Sequence, residues 1–335
     1  MGACYTGGKS VGIGKKAFFF TTIAIALSIA IILSYAVYTE YTLKDKMGVI
    51  EIRVTTMNSF IKDLENDVDN AIFIVGFRSL LSLDDYMMYH DAFLNDAVAG
   101  TPSLSSAFDE VFRLGTIDSE RMILMGNNTF LNWTEKMKAQ ANKTGISLDF
   151  TINSITISQS EPWKVGVSVN LDIDAQDNKN TAKWDINSKT FTRQINITGF
   201  VDPLYLVKTQ GKANNTIRRT TVPDFSTTSN LKIHLDNSYY IEKTDAPSYL
   251  DRFENDLGPS AYGIESLANV SKLSGLGLGL PAIKTAVDHI YFGSTDPDRC
   301  NIEGLVDSYP EYSWFYLDKP PTNHLGFYGA VCNIP

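Results

Sequence analysis

From Ala17 to Tyr38 the chain carries no charged side chain over 22 positions. A helix of that length reaches about 33 Å, enough to cross a hydrocarbon core of ~30 Å. Tyr35, Tyr38 and Tyr41 gather at one end, where aromatic rings favour the membrane interface. The pattern then changes without a break. Leu43, Met47, Ile50, Val54, Met57, Ile61, Leu64, Val68, Ala71 and Val75 recur at alternating steps of four and three, with no proline between Ala17 and Ser79. This is a heptad seam, and it predicts one helix of about 60 residues in which a membrane segment (17–38) runs on into a shaft. A second helical stretch is expected over 80–98, stopped by Gly100-Thr101-Pro102, so that 39–100 forms the shaft and second helix.

Two shorter helices are expected over 104–114 and 130–141, the latter with Phe130, Trp133, Met137 and Ala141 on one face; they make up a helical segment, 101–146. At Gly145 the period falls to two. Leu148, Phe150 and Ile152 alternate, and the phase then slips to Ile155 and Ile157, as a bulge would produce. After Pro162, Trp163, Val165, Val167, Val169, Leu171 and Ile173 share one face, while Lys164, Ser168, Asn170, Asp172 and Asp174 share the other. A turn at 175–180 returns the chain as strand over 184–198, with Ile195 and Ile197 inward, and further strands are expected at 217–222 and 230–234. One wet and one packed face imply an antiparallel sheet, here an antiparallel β domain over 147–246. Beyond Asp245–Pro247 come a short helix over 248–256, the apolar glycine run Gly275 to Gly279, and a loop-rich C-terminal subdomain (247–335) holding Cys300 and Cys332. The expected class is α+β.

Composition narrows the function. The net charge is −9 over 335 residues, with no basic block, which argues against a nucleic-acid partner. Lys9, Lys15 and Lys16 before the apolar segment are matched by Lys44, Lys46 and Arg53 after it. Glu40, Asp45 and Glu51 dilute the charge on the far side, and Cys300 with Cys332 suits a disulfide outside the cell. The expected topology is single-pass in the membrane, with residues 1–16 as a cytoplasmic leader and the C-terminal domain extracytoplasmic. A cleaved secretory signal is the competing reading, because Ser34 and Ala36 have the spacing of a cleavage site; the apolar run exceeds the usual 7–15 residues.

Candidate chemistry is sparse. Gly2 with Thr6 fits a myristoylation pattern, with Cys4 as a palmitoylation candidate, but a spanning helix gains little from a lipid. Gly8-Lys9-Ser10 ends like a phosphate loop, yet Ala3 stands where its first glycine belongs. His90, His234, His289 and His324 are scattered, and no cysteine lies at metal spacing, so no metal ligand set and no cofactor is expected. Asp172, Asp174 and Asp177 resemble a calcium loop loosely, without its glycine. Nothing marks a catalytic set, and the chain reads as a non-enzyme. Six Asn-x-Ser/Thr sequons, at Asn127, Asn132, Asn142, Asn196, Asn214 and Asn269, are candidate glycosylation sites if the domain is exported.

Lys16-Ala17 followed by FFFTTIAIALSIAIILSY resembles the class III signal of type IV pilins, in which a short basic leader is cut before a long apolar helix. The resemblance implies processing at Lys16, Ala17 and Phe18, with cleavage after Ala17. It departs from the bacterial pattern at Thr22, where a glutamate that registers neighbouring subunits is expected. The segment FIKDLENDVDNAIFIVGFRSL is similar to a group of archaeal pilin-like membrane proteins. So are Gly199-Phe-Val-Asp-Pro-Leu-Tyr205, Pro247-Ser-Tyr-Leu-Asp-Arg252 and Tyr262-Gly-Ile-Glu-Ser266. The resemblance implies a minor or accessory subunit of a type IV-like filament or its assembly machinery. Ile50, Val54, Met57, Ile61 and Leu64 would then form the assembly seam against other pilin-like subunits. The alternative is a permanently anchored extracytoplasmic binding or adhesion domain, with its seam satisfied within one chain.

Overall fold

The computed structural model describes residues 15–179, 182–278, 284–295, 297–302, 304–320 and 324–332, with side chains from residue 23 onward except at 39 and 41–46. Two compact units are present: residues 1–62 with 179–182, and residues 63–178 with 183–335. The fold is α+β, with antiparallel strand pairing throughout its sheets.

Helix α1 (Lys15–His90) passes from the first unit into the second. In the first unit every described side chain from Ile23 to Tyr38 is exposed, Ile25 at 60% and Ile31 at 68%. Among the described residues no helix is long and apolar enough to cross a membrane. Of the 22-residue uncharged run, only 23–38 lie within the described side chains, and at 1.5 Å per residue these reach about 24 Å. The processing residues Lys16, Ala17 and Phe18 lie outside the described side chains.

In the second unit α1 runs unbroken through Ser79 and Leu80, where the pattern predicts the start of a second helical stretch. The hydroxyls of Ser79 and Ser82 donate to Val75 O and Arg78 O, each at 2.9 Å, so these polar groups are satisfied inside the helix and do not break it. The helix stops at His90, eight residues before the expected end at Val98. Asp91 (φ 49°) and Asn95 (φ 58°) take left-handed conformations, and Asp96 Oδ1 accepts the Val98 and Ala99 amides in a tight turn.

Helices α2 (Leu104–Leu114) and α3 (Phe130–Lys143) fall where their patterns predict, N-capped by Ser103 and Thr129. Between them lies a two-residue hairpin of β1 (Thr116–Ile117) and β2 (Glu120–Arg121). The main sheet is a meander of β3 (Ile146–Glu161), β4 (Lys164–Asp177) and β5 (Lys183–Asn196), in the order β3-β4-β5. Its register shifts between Ile152 and Ser154, the position of the expected slip. Val165, Val167, Val169, Leu171 and Ile173 are completely buried. The C-terminal part of α1 lies on this sheet. A Cβ at Gly76 would sit 3.0 Å from Ile195 Cδ1 and 3.2 Å from Val167 Cγ2, so glycine permits the approach. Lys189 pairs with Glu65, and Phe77 meets Phe200 edge-on at 5.0 Å.

The remainder is short elements: α4 (Pro203–Lys208), α5 (Thr228–Asp236), β6 (Tyr240–Glu242), β7 (Ile264–Ser266), α6 (Val270–Gly275), α7 (Asp288–Tyr291), β8 (Arg299–Asn301), α8 (Leu305–Ser308), β9 (Tyr316–Asp318) and α9 (His324–Phe327). Two strand expectations fail here. Residues 230–234 belong to α5, because Leu231, His234 and Leu235 are buried at helical spacing and Thr227 caps the first turn. Residues 217–222 form no strand; Arg219 makes one isolated bridge to Tyr240, and Pro223 follows. The helix expected over 248–256 is a single 3₁₀ turn, Asp251–Glu254. β6 pairs with β7, so hydrogen bonds cross the boundary expected near residue 247. The glycine run begins at the end of α6, and its last residue, Gly279, lies outside the described residues. Cys300 and Cys332 form a disulfide with Cα atoms 5.6 Å apart, beside a core that includes Leu267, Val287, Phe315 and Leu317.

Candidate functional site

Strand β7 is buried on both faces, which is unusual for a segment carrying Glu265 and Ser266. Its entry depends on Gly263, where a Cβ would fall 2.0 Å from Ala246 O and 2.3 Å from Lys243 O. This close approach wraps the 243–246 turn against the strand. Alternation along β7 turns Glu265 and Ser266 to opposite sides, and each side gathers a polar cluster.

On the Ser266 side, the Arg252 guanidinium donates from one nitrogen to Asp202 Oδ2 (2.7 Å) and Asp288 Oδ2 (2.9 Å), and from another to Ile264 O. Tyr240 donates to Asp202 (2.7 Å), and Ser266 donates to Asp288 (2.9 Å) and lies 3.0 Å from the Tyr205 hydroxyl. Arg252, Asp202, Asp288 and Ser266 are all inaccessible to solvent. Burial works to raise Asp288, but the Arg252 guanidinium outweighs it and holds the carboxyl well below the usual range. Burial raises Asp202 against the pull of the same guanidinium. Removing one member of a buried ion triad of this kind leaves an uncompensated charge and is strongly destabilising, even where the intact triad adds little net stability.

On the Glu265 side, His324 lies with Nε2 3.1 Å from Glu265 Oε2 and Nδ1 2.8 Å from Asp318 Oδ2. Tyr328 donates to Glu265 Oε1 (2.8 Å), and Thr285 donates to Asp318 Oδ1 (3.0 Å). Burial opposes charge on His324, but the hydrogen bonds to Asp318 and Glu265 prevail and push its pKa up to about 9. His289 joins the two sides: its Nδ1 is 3.4 Å from Asp288 Oδ1, and its ring centroid is 6.0 Å from that of His324. One ligand atom each from Glu265, His289 and His324 lie within 4.8 Å of one another, all three residues being buried.

Along the chain the four histidines are scattered, and their spacing predicts no metal ligand set. Two of them, 35 residues apart, meet a glutamate that lies 24 residues before the first. The usable signal is a glutamate flanked by apolar residues in Ile264-Glu-Ser-Leu-Ala268. The short segments of the pilin-like resemblance converge here as well: Asp202, Arg252 and Glu265 with Ser266 come from three of them. His90 lies apart, 3.0 Å from Glu120, and His234 is buried beside Thr220.

The other singled-out residues are dispersed. Met57 (3% exposed), Ile61 and Leu64 are buried within the chain, whereas Ile50 and Val54 (40%) are exposed, so the heptad seam is divided in two. Asp172 lies on the solvated face, accepting hydrogen bonds from Asn153 and the Ser188 amide, which hold its pKa down. Asp174 faces Lys183 on the same surface, as in a plain acidic hairpin. Asn127, Asn142, Asn196 and Asn214 are exposed, while Asn132 is half-buried and Asn269 uses its side-chain oxygen to cap α6. No protein-family model, curated protein or solved structure matches this chain.

Proposed function

We propose that the chain is a pilin-like subunit, minor or accessory, of a type IV-like cell-surface filament or its assembly machinery, held in the membrane by α1 with its second unit outside the cytoplasm. The observation that carries this reading is the run 23–38, an uncharged stretch of α1 whose described side chains are all exposed, including eight large aliphatic ones. Soluble monomers rarely leave such a continuous apolar surface open. At about 1.5–3 kcal/mol per fully buried side chain, covering these partly exposed groups is worth on the order of 10 kcal/mol. Lipid before assembly and the helices of neighbouring subunits after it are the environments that supply that cover. Further along, the same helix buries Met57, Ile61 and Leu64 within the chain, so the open part of the seam ends near Val54, while Phe73, Ile74 and Phe77 on other faces of α1 are exposed. The mechanism is therefore packing and display, with no reaction assigned.

A second reading, a permanently anchored binding or adhesion domain, is favoured by the burial of Met57, Ile61 and Leu64, because that half of the seam needs no neighbour. Peptide mass spectrometry of the N-terminus of protein from native membranes separates the two. A mature terminus at Phe18, in a fraction that sediments as filaments, supports the pilin-like reading. An intact Met1 or Gly2 in monomeric membrane protein refutes it and leaves the permanent anchor.

A further inference from the structure

Glu265, His289 and His324 belong to three separate segments, β7, α7 and α9, and converge in the interior of the second unit. The groups behind them are arranged as the outer shell of a metal centre. His324 Nδ1 is tied to Asp318 Oδ2 (2.8 Å) while its Nε2 reaches Glu265 Oε2 (3.1 Å), and His289 Nδ1 faces Asp288 Oδ1 (3.4 Å), so each imidazole has a carboxylate beside it. Carboxylate–histidine–metal relays have this form, in which the carboxylate fixes the ring and raises its basicity. The second oxygen of Glu265 is held by the Tyr328 hydroxyl, and Asp318 is itself fixed by Thr285.

The charge balance points the same way. Among the described residues Asp202, Glu265, Asp288 and Asp318 are four wholly buried carboxyl groups joined through this network, balanced in part by the Arg252 guanidinium and by a proton on His324 that a bound ion would displace. Buried carboxylates in excess of buried cations favour a positive charge at their centre. Two imidazoles and a carboxylate suit zinc and similar transition ions, and disfavour magnesium and calcium, which take all-oxygen sets.

We infer that Glu265, His289 and His324 form a binding site for one divalent transition-metal ion of the zinc class, which clasps β7, α7 and α9 together. Tetrahedral ligands on zinc stand about 3.3 Å apart, so the ligand atoms, now within 4.8 Å, must close by roughly 1.5 Å at most. Asp245 Oδ2, 3.9 Å from His324 Nε2 and half-exposed, lies near enough to compete with water for the fourth place. His289 also lines a surface depression with Lys208, Leu257 and Phe292, which supplies a route of entry for the ion.

The test uses the full-length chain, purified in mild detergent, stripped with a chelator and titrated with zinc ion alone, with bound metal counted by mass spectrometry. One equivalent per chain is expected. Affinity should fall at least 100-fold in His289→Ala and in His324→Ala, and stay unchanged in His90→Ala. Asp318→Asn, which keeps every ligand, should weaken binding about 10- to 100-fold. Because the alanine variants also disturb a buried network, the unaltered chain loaded with cobalt provides an independent reading. Its absorption spectrum and X-ray absorption should report a four- or five-coordinate ion with two imidazole ligands. Less than a tenth of an equivalent in the reloaded chain, or undiminished affinity in His289→Ala, overturns the inference. Neither result bears on filament assembly, which rests on α1.

Discussion

His234 supplies the sharpest quantitative prediction. It sits on α5, inaccessible to solvent, with Nδ1 3.1 Å from Thr220 Oγ1, no hydrogen-bond partner for Nε2 among the described residues, and the rings of Phe225, Tyr239 and Tyr328 around it. Burial pushes its pKa from the ordinary 6.5 down to about 4. The folded state therefore keeps the imidazole neutral where the unfolded chain would protonate it. The resulting stability is complete above pH 6.5 and is lost as the pH falls toward 4. At about 1.4 kcal/mol per pH unit the full loss is about 3 kcal/mol, of which about 2 kcal/mol has gone by pH 5. Trp133, Trp163, Trp184 and Trp314 all lie in the second unit, so tryptophan fluorescence during urea unfolding follows that unit. The assay compares the full chain with His234→Leu at pH 7.5 and pH 5.0. The variant loses packing at both values, but the gap between the two proteins should move in the variant's favour by about 2 kcal/mol on acidification. A gap that moves by less than about 0.5 kcal/mol would show that His234 does not titrate as its burial requires, and the reasoning would fall.

Three further outcomes are expected. Ile61→Asp places a carboxylate in a buried position and should destabilise the chain by about 3 kcal/mol or more, whereas Ile50→Asp, at an exposed seam position, should leave the urea midpoint unchanged and abolish recovery in filament fractions. Equal unfolding midpoints for the two variants would contradict the divided seam. Gly76→Leu should lose about 1–3 kcal/mol, because its side chain must displace Ile195 and Val167; a rise in the unfolding midpoint would mean that the helix and sheet separate easily. Cys332→Ser opens a cross-link between residues 32 apart in sequence and should cost about 3–4 kcal/mol, measured as the difference between this variant and the oxidised chain. Identical melting of the two would remove the bond from the stabilising interactions.

Elements in which periodicity and burial agree over many residues are legible in the amino-acid sequence alone. The heptad seam predicts α1, the helical faces predict α2 and α3, and the period-two run from Val165 to Ile173 gives β4 with its inward face, because a long amphipathic pattern has one good way to bury itself. Even the bulge near Ile152 shows as a slip in phase. Tertiary structure decided what pattern leaves ambiguous. Residues 230–234 are too few to separate alternation from helical spacing, and burial of Leu231, His234 and Leu235 together made them helix. A seam of uniform chemistry gives no sign of where burial begins, and the structure puts that point near Met57. The Glu265–His289–His324 cluster has no sequence spacing to betray it, since its members come from short elements whose approach is set by Gly263, the Arg252 ion triad and the packing around them. Local periodicity is written along the chain, whereas the meeting of distant polar groups depends on how those short segments fold back on one another.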